Sequence, residues 1–203
     1  MSSFAVTPAE GAAHGIDDDR KVKLGMLFYV LADVAFVVFL FVSYIWERAY
    51  NTLGGWNRFP GMALPDQQTT YILTGLMVAS GIAYFIAHMG IKAGNQAVLS
   101  LFLLIAVVLV AITLVGQMRF MGDQQFATID GTFFSSWIML AGYHVYHLFI
   151  GLFLGLALLI RSLKGRYSRE RHLGLVTVGY FWYWMALMPV LVTIMVLLFP
   201  AKI

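Results

Sequence analysis

The residues of this chain that could do chemistry lie inside long apolar stretches. His144 and His147 are near the middle of the apolar run from Ser136 to Ile160. At about 100° per residue, these histidines and the following Gly151 and Gly155 fall within an arc of roughly 80° on a helix. Imidazoles are costly to expose to lipid, and glycines let another backbone approach closely. This face is therefore predicted to pack against protein.

Asp33 is the second candidate, because it lies deep within the apolar stretch MLFYVLADVAFVVFLFVSYI. A carboxylate at that depth must be paired, protonated or hydrated. The simpler interpretation is a structural hydrogen bond to a neighbouring helix, and the alternative is a proton-exchanging group. His144 and His147 are the candidate partners. We therefore predict a buried polar network of Asp33, His144 and His147.

A metal site at the same histidines is the less favoured hypothesis. Two imidazoles three residues apart can face one ion, as they do in helix-bundle metal sites. The Glu-x-x-His motif that such sites use is not present. Of the other histidines, His88 is near a segment end, and His14 and His172 lie outside the apolar segments. Interhelical hydrogen bonding is the better interpretation, and neither a metal nor a haem is expected in this chain.

Several kinds of catalytic site are excluded by the absence of their motifs. The chain contains no cysteine, which excludes disulfides, thiolate ligands and cysteine nucleophiles. It also has no phosphate-binding loop, no GxSxG motif and no HExxH motif.

Composition indicates which elements must position these residues. Of the 203 residues, 61% are hydrophobic and 11% are charged, whereas about a quarter are charged in a soluble domain. Mean hydropathy is +0.82. The pattern predicts an all-α polytopic membrane protein, a bundle of five transmembrane helices within residues 24–203. The predicted segments are about 24–46, 70–92, 96–117, 132–160 and 173–199.

Each segment is long enough, at about 1.5 Å per residue, to cross a hydrocarbon core about 30 Å thick. Residues 1–23 are predicted to be a mobile cytoplasmic tail. The short connection at residues 93–95 predicts that the second and third segments are antiparallel neighbours. The fifth segment contains Pro189, which predicts a kink. Its aromatic cluster, residues 180–184, indicates a membrane interface or helix packing, with a quinone or lipid headgroup site as the alternative.

The basic residues predict the orientation of the helices. The N-terminal tail, second loop and fourth loop together carry nine Lys and Arg, against four in the first loop, third loop and C-terminus. The positive-inside rule therefore places the N-terminus in the cytoplasm and the C-terminus outside. The basic residues of the fourth loop are predicted to meet anionic lipid headgroups. They are Arg161, Lys164, Arg166, Arg169 and Arg171.

Two stretches resemble the five-helix form of subunit III of the haem–copper oxidases. Residues 29–48, YVLADVAFVVFLFVSYIWER, are similar to its first helix. Asp33 falls at the membrane-embedded glutamate position of the family, and Tyr44 and Arg48 match downstream. Residues 142–155, GYHVYHLFIGLFLG, resemble the motif aromatic-His-Gly-Leu-His-x-x-x-Gly. The matching residues are His144, His147 and Gly151, while Val145 replaces a glycine.

A third stretch, residues 180–199, resembles the terminal helix of that family. Here Tyr183, Ala186 and Pro189 stand where the family has histidine, aspartate and tryptophan. These departures leave open a related role as an accessory subunit of a nitric oxide reductase or of another membrane complex. A small proton-coupled transporter, with Asp33 and the histidines as a relay, is a further alternative.

The resemblance implies a non-redox subunit in a bacterial cytoplasmic membrane. Haem and copper are then expected in the partner subunit I, with subunit II in the same complex, and no nucleic acid is expected as a partner. The family resemblance further implies phospholipid binding and support of proton uptake and enzyme stability. Arg48 is expected to anchor the outer end of the first helix.

Overall fold

The computed structural model describes residues 8–51, 56 and 65–199, with side chains described from residue 18 onward. This part of the chain forms five α-helices and one short 3₁₀ turn, Thr128–Asp130. All five helices contain a stretch long and apolar enough to cross a membrane. The prediction of an all-α protein with five membrane-spanning helices is therefore confirmed. The helices are α1 (Pro8–Ala49), α2 (Gln67–Lys92), α3 (Gln96–Gly122), α4 (Thr132–Leu163) and α5 (Leu173–Leu198).

The first helix begins well before its apolar segment. Residues 8–23 belong to α1, because the charged stretch before Leu24 contains no proline and continues the helix into the apolar run. The mobile cytoplasmic tail over residues 1–23 stays a prediction, and residues 1–7 lie outside the described residues. Most of the first loop, which the sequence places at residues 47–69, also lies outside them.

Two helices end in the same type of turn. Gly94 has φ 78° and Gly165 has φ 64°, a left-handed conformation that glycine adopts without strain. After α2, the N–H of Gly94 donates to the Ile91 carbonyl and the N–H of Asn95 donates to the Gly90 carbonyl, both at 2.9 Å. This pattern is the Schellman motif. The turn reverses the chain at once, so α2 and α3 pack as antiparallel neighbours.

The first helix is the least covered by the rest of the bundle. In its apolar window 17% of residues are buried, compared with 39–44% in the other four helices. Within the described residues α1 packs against α4 and α5 and not against α2 or α3. Near its C-terminal end, the Tyr44 hydroxyl donates to the carbonyl of Phe199 at 2.8 Å, and the ring of Trp56 packs edge-on against Tyr44.

Small residues allow α4 to approach α5 closely. A Cβ on Gly155 would lie 2.8 Å from the Trp182 ring and 2.8 Å from Val107. A Cβ on Gly151 would lie 2.7 Å from the Cε of Met185. Lipid provides no hydrophobic drive for helix association, so this close van der Waals packing stabilises the bundle directly. The histidine face of α4 therefore lies against protein.

Candidate functional site

The carboxylate of Asp33 is buried in the middle of the bundle, with 8% of the residue exposed. It is surrounded by hydrogen-bonding groups from α4 and α5. The Tyr143 hydroxyl donates to Oδ1 at 2.5 Å, and the indole N–H of Trp184 donates to Oδ2. The Nε2 of His147 lies 2.8 Å from the same Oδ2. Asp33 thus joins α1 to both helices against which it packs.

The other ring nitrogen of His147 determines how this contact can be protonated. Nδ1 lies 2.8 Å from the backbone carbonyl of Tyr143. A carbonyl only accepts, so Nδ1 carries a hydrogen and donates. The Nε2 contact with Asp33 then has two forms: an imidazolium donating to a carboxylate, or a protonated carboxyl donating to a neutral imidazole. In both forms the pair shares one proton and has no net charge, which suits a low-dielectric interior.

Aromatic rings hold the His147 imidazole in position. The Phe181 ring stacks on it at 5.7 Å between centroids with an interplanar angle of 14°. The Tyr143 ring packs edge-on at 4.6 Å. His147 itself is completely buried. The rings exclude water from the imidazole on two sides and fix the direction in which Nε2 points toward Asp33.

The two predicted histidines are separated by the fold. His144 is also buried, with 5% of the residue exposed, but its Nε2 has no hydrogen-bond partner among the described residues. It lines a small cavity between α2, α3, α4 and α5 instead of contacting Asp33. The hydrogen bonds of Asp33 therefore involve His147 and leave out His144, a distinction that three-residue spacing alone could not make.

Tyr143 and Trp184 were not recognised from the sequence. Both belong to stretches that are rich in aromatic residues, for which interface and packing roles are the usual interpretation. The available signal was the chemistry of the side chains: a buried indole N–H or phenol O–H needs an acceptor, and Asp33 is the ionisable acceptor at that depth. Tyr143 is also one turn before His147 and so lies on the same side of α4.

A second set of hydrogen bonds ties α2 to α3 and α5. The indole N–H of Trp182 donates to the Ser80 hydroxyl at 3.2 Å, and that hydroxyl donates to the Ala106 carbonyl at 3.0 Å. The Tyr84 hydroxyl donates to the Leu175 carbonyl at 2.7 Å. These bonds satisfy buried polar groups and contain no acidic or basic side chain. They serve the structure of the bundle.

Of the other predicted site residues, Pro189 lies inside a helix and the basic residues lie at the two ends of the bundle. Pro189 is buried within α5, which continues to Leu198. The guanidinium of Arg48 lies over the Phe199 ring, 5.6 Å from its centroid. At the opposite end, Arg161, Arg166 and Arg171 line an open cavity of about 600 Å³. Lys164 and Arg169 are exposed outside this cavity.

The cavity between Arg161, Arg166 and Arg171 continues into an apolar groove. Lys23 adds a fourth basic side chain to the cavity, and Asp19 and Glu170 are its acidic members. Val22 and Thr177 line both this cavity and a neighbouring groove of about 400 Å³ between α1, α4 and α5. The groove reaches Tyr29 and Phe181, which lie beside the Asp33 site. The following residues make up the rest of its lining: Gly25, Met26, Ile150 and Leu154.

Comparison with known proteins identifies the family of this bundle. A sequence model of the family described as cytochrome c oxidase subunit III matches residues 7–200. The chain belongs to the cytochrome c oxidase subunit III family. The resemblance carried by Asp33, His144 and His147 is thus confirmed at the level of the family. With five membrane-spanning helices, the chain is a multi-pass membrane protein.

Curated members of the subunit III family show the same relationship at low identity. Cytochrome c oxidase subunit 3 of Rattus norvegicus is 23% identical over 171 residues, which is 81% of this chain and 64% of that protein. The subunit 3 of Drosophila melanogaster is 24% identical over 170 residues, 80% of this chain and 63% of that protein. This chain therefore spans less than two thirds of the length of these relatives.

Metal ligation is not supported by the arrangement of the described side chains. Over residues 18–51, 56 and 65–199, no three His, Asp or Glu side chains are grouped so that they could hold a metal ion. His144 and His147 are two imidazoles with different environments, since Nε2 of His147 is engaged with Asp33. The residues around Asp33 can share and hold a proton, and this is the chemistry that their arrangement supports.

Proposed function

We propose that this chain is a non-redox auxiliary subunit III of a haem–copper terminal oxidase in a bacterial cytoplasmic membrane. It packs on the catalytic subunit I, which carries the haem and copper, in a complex that also contains subunit II. The observation that carries the proposal is the contact of 2.8 Å between Nε2 of His147 and Oδ2 of Asp33, buried in a bundle of the subunit III family. The chain itself transfers no electrons.

The Asp33 site supports proton uptake by the complex. Asp33 and His147 keep one mobile proton at no net charge, and the donors Tyr143 and Trp184 stabilise the carboxylate when the proton is on the imidazole. When the pair passes its proton on, it carries one negative charge, on a carboxylate that Tyr143 and Trp184 still stabilise, and regaining a proton returns the pair to no net charge. We propose that it maintains the supply of protons during turnover and so prolongs the active lifetime of the enzyme.

Phospholipid binding accounts for the continuous cavity and groove at the basic end. The cavity lined by Lys23, Arg161, Arg166 and Arg171 fits an anionic headgroup. The apolar groove that continues from it fits an acyl chain lying between α1, α4 and α5. A lipid bound there would cover the approach to Asp33 from this end and would stabilise α1, the least covered helix.

Co-purification tests the proposed assembly. A C-terminal tag on this chain, extraction in mild detergent and an optical spectrum are expected to yield a haem-bearing complex, with the separated chain colourless. If the chain is isolated with a nitric oxide reductase, the accessory role in that enzyme is supported and the proposal is contradicted. If the chain is isolated alone and transports protons after reconstitution, the transporter alternative is supported instead.

Substitution of Asp33 tests the proposed role of the site. In the assembled oxidase, Asp33→Asn removes the titratable proton while keeping the shape of the side chain, so the number of turnovers before inactivation should fall severalfold. Asp66→Asn, at the exposed start of α2, is the matched control and should leave that number unchanged. An unaltered lifetime in a fully assembled Asp33→Asn complex would contradict the proposed role.

A further inference from the structure

A second buried site lies in the half of the bundle opposite the basic α4–α5 loop. It is a cavity of about 50 Å³ between α2, α3, α4 and α5. Its lining includes polar side chains from all four helices: Thr70 and Thr74 of α2, Gln117 of α3, His144 of α4 and Thr193 of α5. Such a set is unexpected at membrane depth, where polar groups need partners.

Some polar groups of these side chains have no hydrogen-bond partner among the described residues. Nε2 of His144 is fully buried and unpaired among the described residues, and His144 as a whole is 95% buried because only 5% is exposed. An unpaired buried polar atom typically destabilises a protein by about 1–3 kcal/mol. The Thr74 and Thr193 hydroxyls bond each other at 3.0 Å, which uses one of their two hydrogens and leaves the other available. Gln117, only 9% exposed, adds an amide.

The size and chemistry of the cavity select its ligand. A buried water needs about 10–15 Å³ of cavity volume and two to four polar partners. The cavity of about 50 Å³ therefore has room for roughly three waters, with Nε2 of His144 and a threonine hydroxyl among their partners. An acyl chain would leave these groups unpaired, and the cavity is too small for a quinone ring.

The cavity also has a route to the end of the bundle. A neighbouring cavity of about 70 Å³ shares Thr70, Trp137, Val192 and Thr193 with it. This second cavity reaches Pro65 and Gln67, at the start of α2. We propose that the two cavities form a water-filled inlet that binds a short file of water molecules and connects His144 with the aqueous phase at this end of the bundle.

The inlet is independent of the proposed role of Asp33. It approaches α4 from the opposite end to the basic loop and stops at His144, one helical turn from His147. Because Nδ1 and Nε2 of His147 are both engaged elsewhere, the inlet does not form part of the hydrogen bonds around Asp33. His144 would exchange its proton with water through the inlet and without contact with lipid.

Thiol labelling tests access of water to the inlet, and the natural chain contains no cysteine that could interfere. Thr193→Cys places a thiol in the wall shared by both cavities. Ile194→Cys is the matched control, because Ile194 lies at the same depth and is 47% exposed on the outer surface of the bundle. The thiolate is the reactive form and needs water, so Ag⁺, a thiol-reactive cation about the size of a water molecule, should label Thr193→Cys at least about tenfold faster in the membrane-embedded complex.

Equal or slower labelling of a correctly assembled Thr193→Cys complex would overturn the proposal. A second measurement requires no substitution: a high-resolution density map of the purified complex should contain water within hydrogen-bonding distance of Nε2 of His144. An empty cavity or the density of an acyl chain at that place would overturn the proposal whatever the labelling result.

Discussion

At the scale of single residues, Asp33 is unusual in the number of side chains that contact its carboxylate. Oxygen Oδ2 faces both His147 and Trp184, and Oδ1 accepts from Tyr143. Removing one donor leaves the other contacts of the carboxylate in place. It reduces the stabilisation of the carboxylate, since charge-assisted hydrogen bonds in a dry interior are strong. The two buried tryptophans of α5 offer a comparison, because Trp182 donates to a serine hydroxyl instead.

We expect Trp184→Phe to lower the free energy of unfolding by about 1–3 kcal/mol, because it removes a hydrogen bond to a buried carboxylate. It should also shorten the active lifetime of the assembled oxidase. Trp182→Phe should lower stability by loss of its bond to Ser80 and leave the lifetime unchanged. Thermal unfolding in detergent and turnover assays measure the two effects. Equal lifetimes for the two variants would contradict a special role for the Asp33 donors.

At the scale of helices, the fold depends on how closely α4 approaches α3 and α5. Gly155 lies between the Trp182 ring and Val107, two groups that cannot move aside easily, whereas the flexible Met185 faces Gly151. When two helices separate in lipid, their contacts with each other are replaced by equally apolar contacts with acyl chains. The fit of the surfaces, and not their hydrophobicity, therefore decides which helices pair.

Gly155→Ala should reduce the free energy of unfolding by about 1–3 kcal/mol, because the added methyl group forces two rigid neighbours apart. Gly75→Ala in α2 is the matched control, because a Cβ there would meet nothing within 4 Å. It should be neutral or stabilising by up to about 1 kcal/mol, the difference in helix propensity. Thermal melting of both variants measures this. A tolerated alanine at Gly155 would show that the helices are further apart than described.

The start of α2 should show a pH dependence of its own. Asp66 caps the helix, accepting from the Thr69 hydroxyl at 2.6 Å and from the Thr69 N–H at 2.7 Å. The hydroxyl bond, followed by the backbone bond, lowers the pKa of the Asp66 carboxyl below its usual value of 3.8. A lowered pKa means that the stabilisation is complete above the unfolded-state pKa and disappears as the pH falls through the folded-state pKa.

The melting temperature of the natural protein should therefore exceed that of Asp66→Ala above about pH 5, and the difference should shrink as the pH falls below about 4. Asp66→Asn provides the control, because its amide oxygen can still cap the helix and does not titrate. Its advantage over Asp66→Ala should stay constant over the same range. A constant difference for the natural protein would show that the negative charge of Asp66 contributes nothing to its stabilisation of α2.

At the scale of the whole molecule, charge defines the ends of the bundle. The basic residues concentrate in the α4–α5 loop and before the apolar part of α1, and these regions meet in the cavity that contains Lys23 and Arg161. This end is the one that the positive-inside rule places in the cytoplasm. The inlet to His144 would then open on the outer side, and the proposed lipid would bind from the inner leaflet.

Fusion proteins test this orientation. Alkaline phosphatase fused to the C-terminus should be active and a fluorescent protein at the same place dark, because α5 would end outside the cytoplasm. A fluorescent protein fused to the N-terminus should be bright and serves as the control for expression. The opposite pattern would place the basic loop outside and would contradict the proposed sites of both the lipid and the water.

Residue patterns alone were sufficient for the number of helices and for the side of α4 that packs against protein. In a bilayer every backbone polar group must be satisfied within its own helix, so a long apolar run determines a spanning helix without reference to any other part of the chain. The spacing of His144, His147, Gly151 and Gly155 likewise fixes a common face, because the helical period is constant. Both are local properties.

Only the tertiary structure decided what Asp33 contacts. The choice between His144 and His147, and the recruitment of Tyr143 and Trp184, depend on the rotation and depth of α1 against α4 and α5. The same packing divided the aromatic cluster, burying Trp182 and Trp184 while leaving Tyr180 39% exposed. Helix rotation and depth come from the fit of many surfaces together, and no local pattern in the sequence encodes them.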